Sequence, residues 1–336
     1  MSLHTELAEA YNHLLYAIAN APENTYPKFT KNNVKKYPED KAAHIIENVI
    51  SHRLSTTQPP QDGKPRVELV MGYPGVGKTL VENELLAKYS GELLKVDYDD
   101  YRSYDSRVLE TSRQNPLVAD YFGQIPGGIK DGLLARAAQE GKSILLSAPA
   151  LDIQASDTNS LRAMFLESGY HISVTYTAAN ESLCYLSNFT RHFKARMTNF
   201  NNGGRVTEIP RMVKPEVHRV ISAGTRHNIH EIIDMIDRGA NMSLRVVDRN
   251  NKEFAKGDIH NIPTLARQNE RRPLTPPELE RLINELNIIS TAALTVGLNY
   301  QERNILSKYA KTTLYKDQIL RNTPKIIPLF TNFKDR

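Results

Sequence analysis

A single cysteine and no tryptophan occur among 336 residues. Cys184 alone cannot form an internal disulfide or a cysteine-ligated zinc site, and redox chemistry lacks a second thiol; its expected role is that of a small buried apolar residue. No apolar stretch approaches the roughly 20 residues of a membrane span. Residues 1–22 carry Glu6 and Glu9 where a signal peptide has its apolar centre. A cytoplasmic protein with no membrane contact is expected. Internal repeats, heptad runs and low-complexity tracts are absent as well. The 10 histidines form no metal set, and His227 and His230, three apart, read as a helix surface. Charge excludes little. A net +5 suits an anionic ligand, and suits equally well a solvated basic surface with no nucleic-acid role.

What is present is enough apolar residue, 40% of the chain, for a real interior, and one strong motif. Gly72-Tyr73-Pro74-Gly75-Val76-Gly77-Lys78-Thr79 matches G-x-x-x-x-G-K-[ST], the phosphate-binding loop. It follows the apolar run Val67-Glu68-Leu69-Val70-Met71 and opens a helix-compatible stretch over 80–89 that begins with Leu80. Gly75 and Gly77 can take backbone angles closed to other residues, which turns successive N–H groups onto phosphates at the positive end of a helix. Lys78 adds a cation for the β- and γ-phosphates, and the Thr79 hydroxyl is the expected Mg²⁺ ligand. Residues 72–80 are therefore read as a nucleoside triphosphate site.

The flanking chain supplies a fold. Apolar spacing over 3–20 and 38–54 predicts two amphipathic helices, and the Pro- and Gln-containing stretch 55–63 reads as a linker. Strands are expected over 92–96, 143–147 and 171–178, with helices over 129–139, 158–167 and 181–199. That alternation predicts an α/β domain, a parallel sheet with helices on both faces. Helix 181–199 is basic (Arg191, His192, Lys194, Arg196) and leads to Asn201-Asn202-Gly203-Gly204-Arg205, which suggests a mobile lid whose other charges only solvate a face. Two helices over 213–221 and 228–238 and a hairpin over 243–254 follow. The core is expected to close near Asp258, and helix resumes from Leu274, through 279–298 and 305–320. The expected division is 1–62, an N-terminal helical appendage and linker; 63–260, the α/β core with the phosphate loop; and 261–336, a C-terminal helical region.

A phosphate loop alone does not separate a phosphotransferase from a switch or a motor. The guanine-reading Asn-Lys-x-Asp is absent, since Asn251-Lys252-Glu253-Phe254 fails at the acid, and the strand ending in Ser147-Ala148-Pro149 lacks the carboxylate pair of a hydrolytic motor. Phosphoryl transfer to an alcohol needs a carboxylate that accepts the hydroxyl proton. Asp99 is the candidate base. The spacing Asp97-x-Asp99 would put both acids on one side of a continuing strand, one toward the Mg²⁺ water shell and one toward substrate, with Asp100 pointing away. Arg191 and Arg211 are the candidate cations for charge developing in the transition state. Three functions stay open on these residues: a small-molecule kinase, a polynucleotide 5′-hydroxyl kinase, and a non-catalytic ATP-dependent binding protein.

Gly72 to Thr79, Val96-Asp97-Tyr98-Asp99, Arg191, Arg211 ahead of Pro215 and His218, and the stretch from Leu244 to Phe254 together resemble the zeta-toxin family of P-loop kinases over about residues 64–256. The resemblance implies a Mg·ATP-dependent kinase acting on a hydroxyl of a soluble metabolite, with Lys78, Asp99, Arg191 and Arg211 as the catalytic set. Ser147-Ala148-Pro149 stands where the toxins carry a substrate-binding Glu followed by Gly and Thr, so a dinucleotide such as NAD, the acceptor of a related effector branch, fits better than uridine-diphosphate N-acetylglucosamine. Asp97, Arg102, Ser147 and Arg205 are the candidate acceptor contacts. An antitoxin- or chaperone-like partner at the helical ends and delivery into another cell are further implications. Because every matched motif lies inside 60–262, the ends are not expected to be needed for phosphoryl transfer.

Overall fold

The computed structural model describes residues 2–26, 34, 36–148, 161–255 and 257–319. Pro149, the first three residues of the helix expected over 158–167, and residue 320 of the last expected helix lie outside these. Helices α1 (Leu3–Asn20) and α2 (Glu39–Thr56) stand where apolar spacing puts them. Then come β1 (Arg66–Met71), α3 (Lys78–Lys88), β2 (Leu93–Val96), α4 (Ser106–Gln114), α5 (Gln124–Gln139), β3 (Ser143–Ala148) and β4 (His171–Thr177). After them run α6 (Glu181–Asn201), α7 (Pro215–Asp237), β5 (Met242–Val247), α8 (Ile262–Arg271), α9 (Pro276–Val296) and α10 (Tyr300–Lys308).

The strands form one parallel sheet in the order β2-β3-β1-β4-β5. Side chains alternate across it with the period of two that a strand imposes. Val67, Leu69 and Met71 of β1 enter the core under α2, α5 and α7, whereas Val70 enters a smaller one with Val81 and Leu85 of α3. The expected α/β architecture holds, and both β1 and β2 end at the edge where the phosphate loop turns.

Several elements differ from the sequence reading. Residues 215–237 form one helix, because nothing between the two apolar segments breaks it. The expected hairpin is β5, parallel to β4, followed by a turn and a single antiparallel bridge between Val247 and Glu253. A further helix, α8, lies between Asp258 and Leu274. Helix α2, read as part of an appendage, lies on α5, whose Gly128 and Gly132 leave room for Ile46 and Ile50.

The largest difference concerns α6, which is the buried middle of a helical layer rather than a lid. Leu186, Phe189 and Phe193 pack with Leu7 and Leu14 of α1 and with Leu282, Leu286 and Ile289 of α9. Each such side chain is worth about 1.5–3 kcal/mol on burial. His192 and Arg196, expected at the surface, are turned inward onto Glu302 of α10. His192 Nε2 and Arg196 Nη1 each lie 2.7 Å from Glu302 Oε1, and Arg196 also donates to the carbonyls of Gly297 and Val296, both at 3.0 Å. Burial holds His192 below its ordinary value, so the neutral ring donates through Nε2. Glu302 Oε2 accepts from the Asn299 amide at 2.9 Å, closing the cap of α10. The two ends also meet each other, through a parallel bridge between Glu23 and Leu298. The helical ends are thus built into the layer that carries Arg191, and their packing argues against transfer without them.

Removing Glu302 would leave the buried Arg196 charge uncompensated. Glu302→Ala is expected to lower the unfolding free energy by about 3–5 kcal/mol, read as a lower urea midpoint at unchanged slope.

Candidate active site

The phosphate loop is clamped between the sheet and the first turns of α6. Gly75 (φ +80°) and Gly77 (φ +101°) adopt left-handed backbone angles, and a β-carbon at Gly75 would run into the Cys184 carbonyl oxygen. Cys184 is buried among Tyr73, Val76 and Ala179, as its expected apolar role requires. Asn188, one turn further along α6, donates from Nδ2 to the Pro74 carbonyl at 3.0 Å. Lys78 folds back over the loop, its Nζ 3.1 Å from the Gly72 carbonyl and 3.4 Å from that of Tyr73. Burial lowers its pKa against the pull of Glu82 and Asp97. Thr79 and Leu80, in the first turn of α3, are exposed. Glycines that leave no room for a β-carbon, a lysine over them and a helix starting at Lys78 fit a polyphosphate with its cation.

At the end of β2 the acids part company. The strand stops at Val96, so its period of two does not extend to Asp99. Asp97 Oδ1 instead accepts the Asp99 amide at 2.9 Å in a tight turn. Asp100, expected to point away, joins the same group as Asp97: Lys95 Nζ lies 2.9 Å from Asp100, 3.4 Å from Glu82 and 3.9 Å from Asp97. Burial, with Asp100 and Asp99 nearby, raises the Asp97 pKa. Asp99 faces the other way. Its Oδ1 accepts from Arg102 Nε at 2.9 Å and its Oδ2 pairs with Arg211 Nη1. Burial alone would raise its pKa, but Arg211 and Arg102 outweigh that and bring it down to about 2.

The remaining expected residues divide. Arg191 is exposed on α6, 3.5 Å from Asn188 Oδ1, and close enough to depress Lys78. Ser147 donates to Glu82 Oε1 at 2.7 Å, so it faces the phosphate-loop helix. Arg205 is exposed beyond the end of α6, about 20 Å along the helix from Asn188 at 1.5 Å per residue, and is not brought to this group.

Three residues escaped the sequence reading. Glu82 lies four residues after Lys78, on the same helix face, a spacing that could have found it. Arg249 follows β5 and covers Gly77; a charged residue just past the carboxyl end of a parallel strand was its signal. Glu270 of α8 had none. It accepts hydrogen bonds from the hydroxyls of Tyr73 and Tyr176, while Arg226 Nη1 donates to Tyr73 Oη at 3.0 Å. Burial raises the Glu270 pKa.

The Asp99 pair fixes the sign of a pH effect. Its pKa falls from 3.8 to about 2 on folding, so the stabilisation is complete above pH 3.8 and is lost as pH falls toward 2. The melting-temperature gap between wild type and Asp99→Asn is expected to shrink across that window; a constant gap would show that the ion pair does not form in solution.

A family model described as Zeta toxin matches residues 51–256. No curated protein matches the chain. Among solved structures, a chain of the PezAT chromosomal toxin–antitoxin system of Streptococcus pneumoniae is similar with a TM-score of 0.60 at 14% identity, over 76% of this chain and 99% of that one. A chain of the AvrRxo1-ORF1:AvrRxo1-ORF2 complex with sulphate ions gives 0.53 at 13% identity, over 87% and 97%. At such identities the likeness speaks for the fold.

Proposed function

This chain belongs to the zeta toxin family of P-loop kinases, and from that premise we propose that it transfers the γ-phosphoryl group of ATP to a hydroxyl of a soluble, nucleotide-like metabolite. The observation that carries this reading is the meeting of two features at one edge of the sheet: a phosphate loop covered by Lys78, and a carboxylate, Asp99, bracketed by two arginines.

The residues of the loop from Gly72 to Leu80 would hold the nucleotide, and Thr79 the Mg²⁺. Mg·ATP, when bound, supplies the phosphoryl group and a cation that neutralises its oxygens. Asp99 orients the acceptor hydroxyl and takes its proton. A carboxylate held near pKa 2 is a weak base, and a loose phosphoryl-transfer transition state asks more for alignment than for basicity. Arg211 is the resting partner of Asp99; once released, its guanidinium meets the developing negative charge, so one movement frees the base and adds a cation. Arg191 supplies a second cation from the rim of α6. Asp97 and Arg102 are the acceptor contacts of this proposal. Ser147, in the place of an acid, supports a dinucleotide acceptor such as NAD over uridine-diphosphate N-acetylglucosamine.

We assign the transfer machinery to residues 63–260, with the terminal helices bracing it. The two-component assemblies named for the neighbouring structures support a protein partner at those helices. No helix among the described residues is long and apolar enough to cross a membrane. Action in a cytoplasm, of the producing cell or of one into which the protein is delivered, belongs to the same proposal.

Incubation with labelled ATP and a metabolite extract, followed by mass spectrometry, tests the reading and identifies the acceptor. Lys78→Ala is expected to abolish transfer. On the acceptor so found, Asp99→Asn should retain ATP affinity while kcat falls on the order of 10²–10⁴-fold, and Arg191→Ala should lower kcat more than affinity. Equal ATP affinity in wild type and a Lys78→Ala, Thr79→Ala double variant would refute the nucleotide site, and near-normal kcat in Asp99→Asn would refute the base.

A further inference from the structure

Beside the phosphate loop stands a guanidinium with too few hydrogen-bond acceptors. Arg249 lies across Gly77, where a β-carbon would sit 3.1 Å from its Cγ. Its Nη2 donates to Ser187 Oγ of α6 at 2.7 Å, whereas Nε and Nη1, both shielded from solvent, donate to no group among the described residues. The neighbouring carboxylates are engaged elsewhere. Asp248 accepts the amides of Asn250 and Lys252, Glu278 is taken by Arg272 and the cap of α9, and Glu285 accepts from Ser187 and Arg281. A shielded cation with two uncommitted N–H groups is costly unless an anion completes it.

We propose that Arg249 is a nucleotide-binding residue whose uncommitted N–H groups take the polyphosphate of the nucleotide in the loop, and that α9 positions it through Glu285 and Ser187. This rests on the phosphate-loop reading above. Polyphosphate is the favoured ligand because a guanidinium presents parallel N–H groups that match phosphate oxygens, and because the side chain lies on Gly77, at the N-terminal end of α3 where anions are bound. The relay has a direction. A serine hydroxyl has one proton to give, and Ser187 gives it to Glu285, 2.9 and 3.0 Å from the two carboxylate oxygens. Its lone pairs are thereby left for Arg249. Without the carboxylate the hydroxyl could turn its proton toward the arginine and lose its hold. Glu285 lies outside the family-matched residues 51–256, so this support comes from the C-terminal helices.

The test is calorimetric titration of the full chain with ADP and, separately, with inorganic pyrophosphate, both with Mg²⁺, in wild type, Arg249→Ala, Arg249→Lys, Ser187→Ala, Glu285→Gln and Lys78→Ala. Melting curves without ligand establish that each variant is folded. Arg249→Ala is expected to weaken both ligands by a similar factor, about 10–100-fold, as for the loss of charge-assisted hydrogen bonds. Arg249→Lys, which keeps the charge without the fork, should recover part of it. Ser187→Ala and Glu285→Gln should weaken both by about 2–10-fold. Unchanged affinities in Arg249→Ala, or a loss confined to ADP with pyrophosphate unaffected, would overturn the proposal; unchanged affinities in Glu285→Gln would overturn the role of α9. Lys78→Ala reports on the loop itself: if it binds as wild type does, the nucleotide-site reading fails whatever Arg249 does.

Discussion

The approach of the phosphate loop to α6 is the constraint on which the rest depends. At Gly75 the two backbones are so close that no β-carbon fits between the loop and the Cys184 carbonyl. Loop and helix therefore move together or not at all, and the helix is fixed in turn by Leu186, Phe189 and Phe193 against α1 and α9. A side chain on α6 inherits that rigidity. Arg191 does not swing in on a lid; it projects from a helix anchored by Arg196 and His192 on Glu302.

Electrostatically the site is at rest because its charges satisfy one another. Asp99 is neutralised by Arg102 and Arg211, and Lys95 is shared by Asp97, Asp100 and Glu82. Such pairs restrain groups that would otherwise repel or wander, and they set the work a ligand must do where it takes a group already paired. In the proposed transfer, the free energy for opening the Asp99–Arg211 pair has to come from binding.

The sheet was legible in the sequence because buried parallel strands are short apolar runs punctuated by turns, and the phosphate loop because its geometry admits few residues. Asp99 and its neighbours were found as a cluster, but their directions were not, since β2 stops at Val96 instead of continuing to Asp99, and a turn rule replaces the strand rule. Helix α6 misled through composition: its arginine and histidine look solvated until Glu302, more than a hundred residues away, is known to face them. Glu270 is the limiting case. Nothing near it in the chain says that its carboxylate will hold Tyr73 of the phosphate loop.

The joining of α1 to α9 also orders events in time. During synthesis α1, the sheet and α6 all emerge before α9, whose last residue lies 95 positions beyond the last of α6, 296 against 201. At about 5–20 residues per second, the apolar stripe of Leu186, Phe189 and Phe193 waits roughly 5–20 s for its cover. The nascent chain thus carries a complete phosphate loop well before the helical layer that steadies it. A premature stop or a slow stretch of message before α9 would yield a chain that displays this stripe, a substrate for chaperones and proteases rather than a working enzyme.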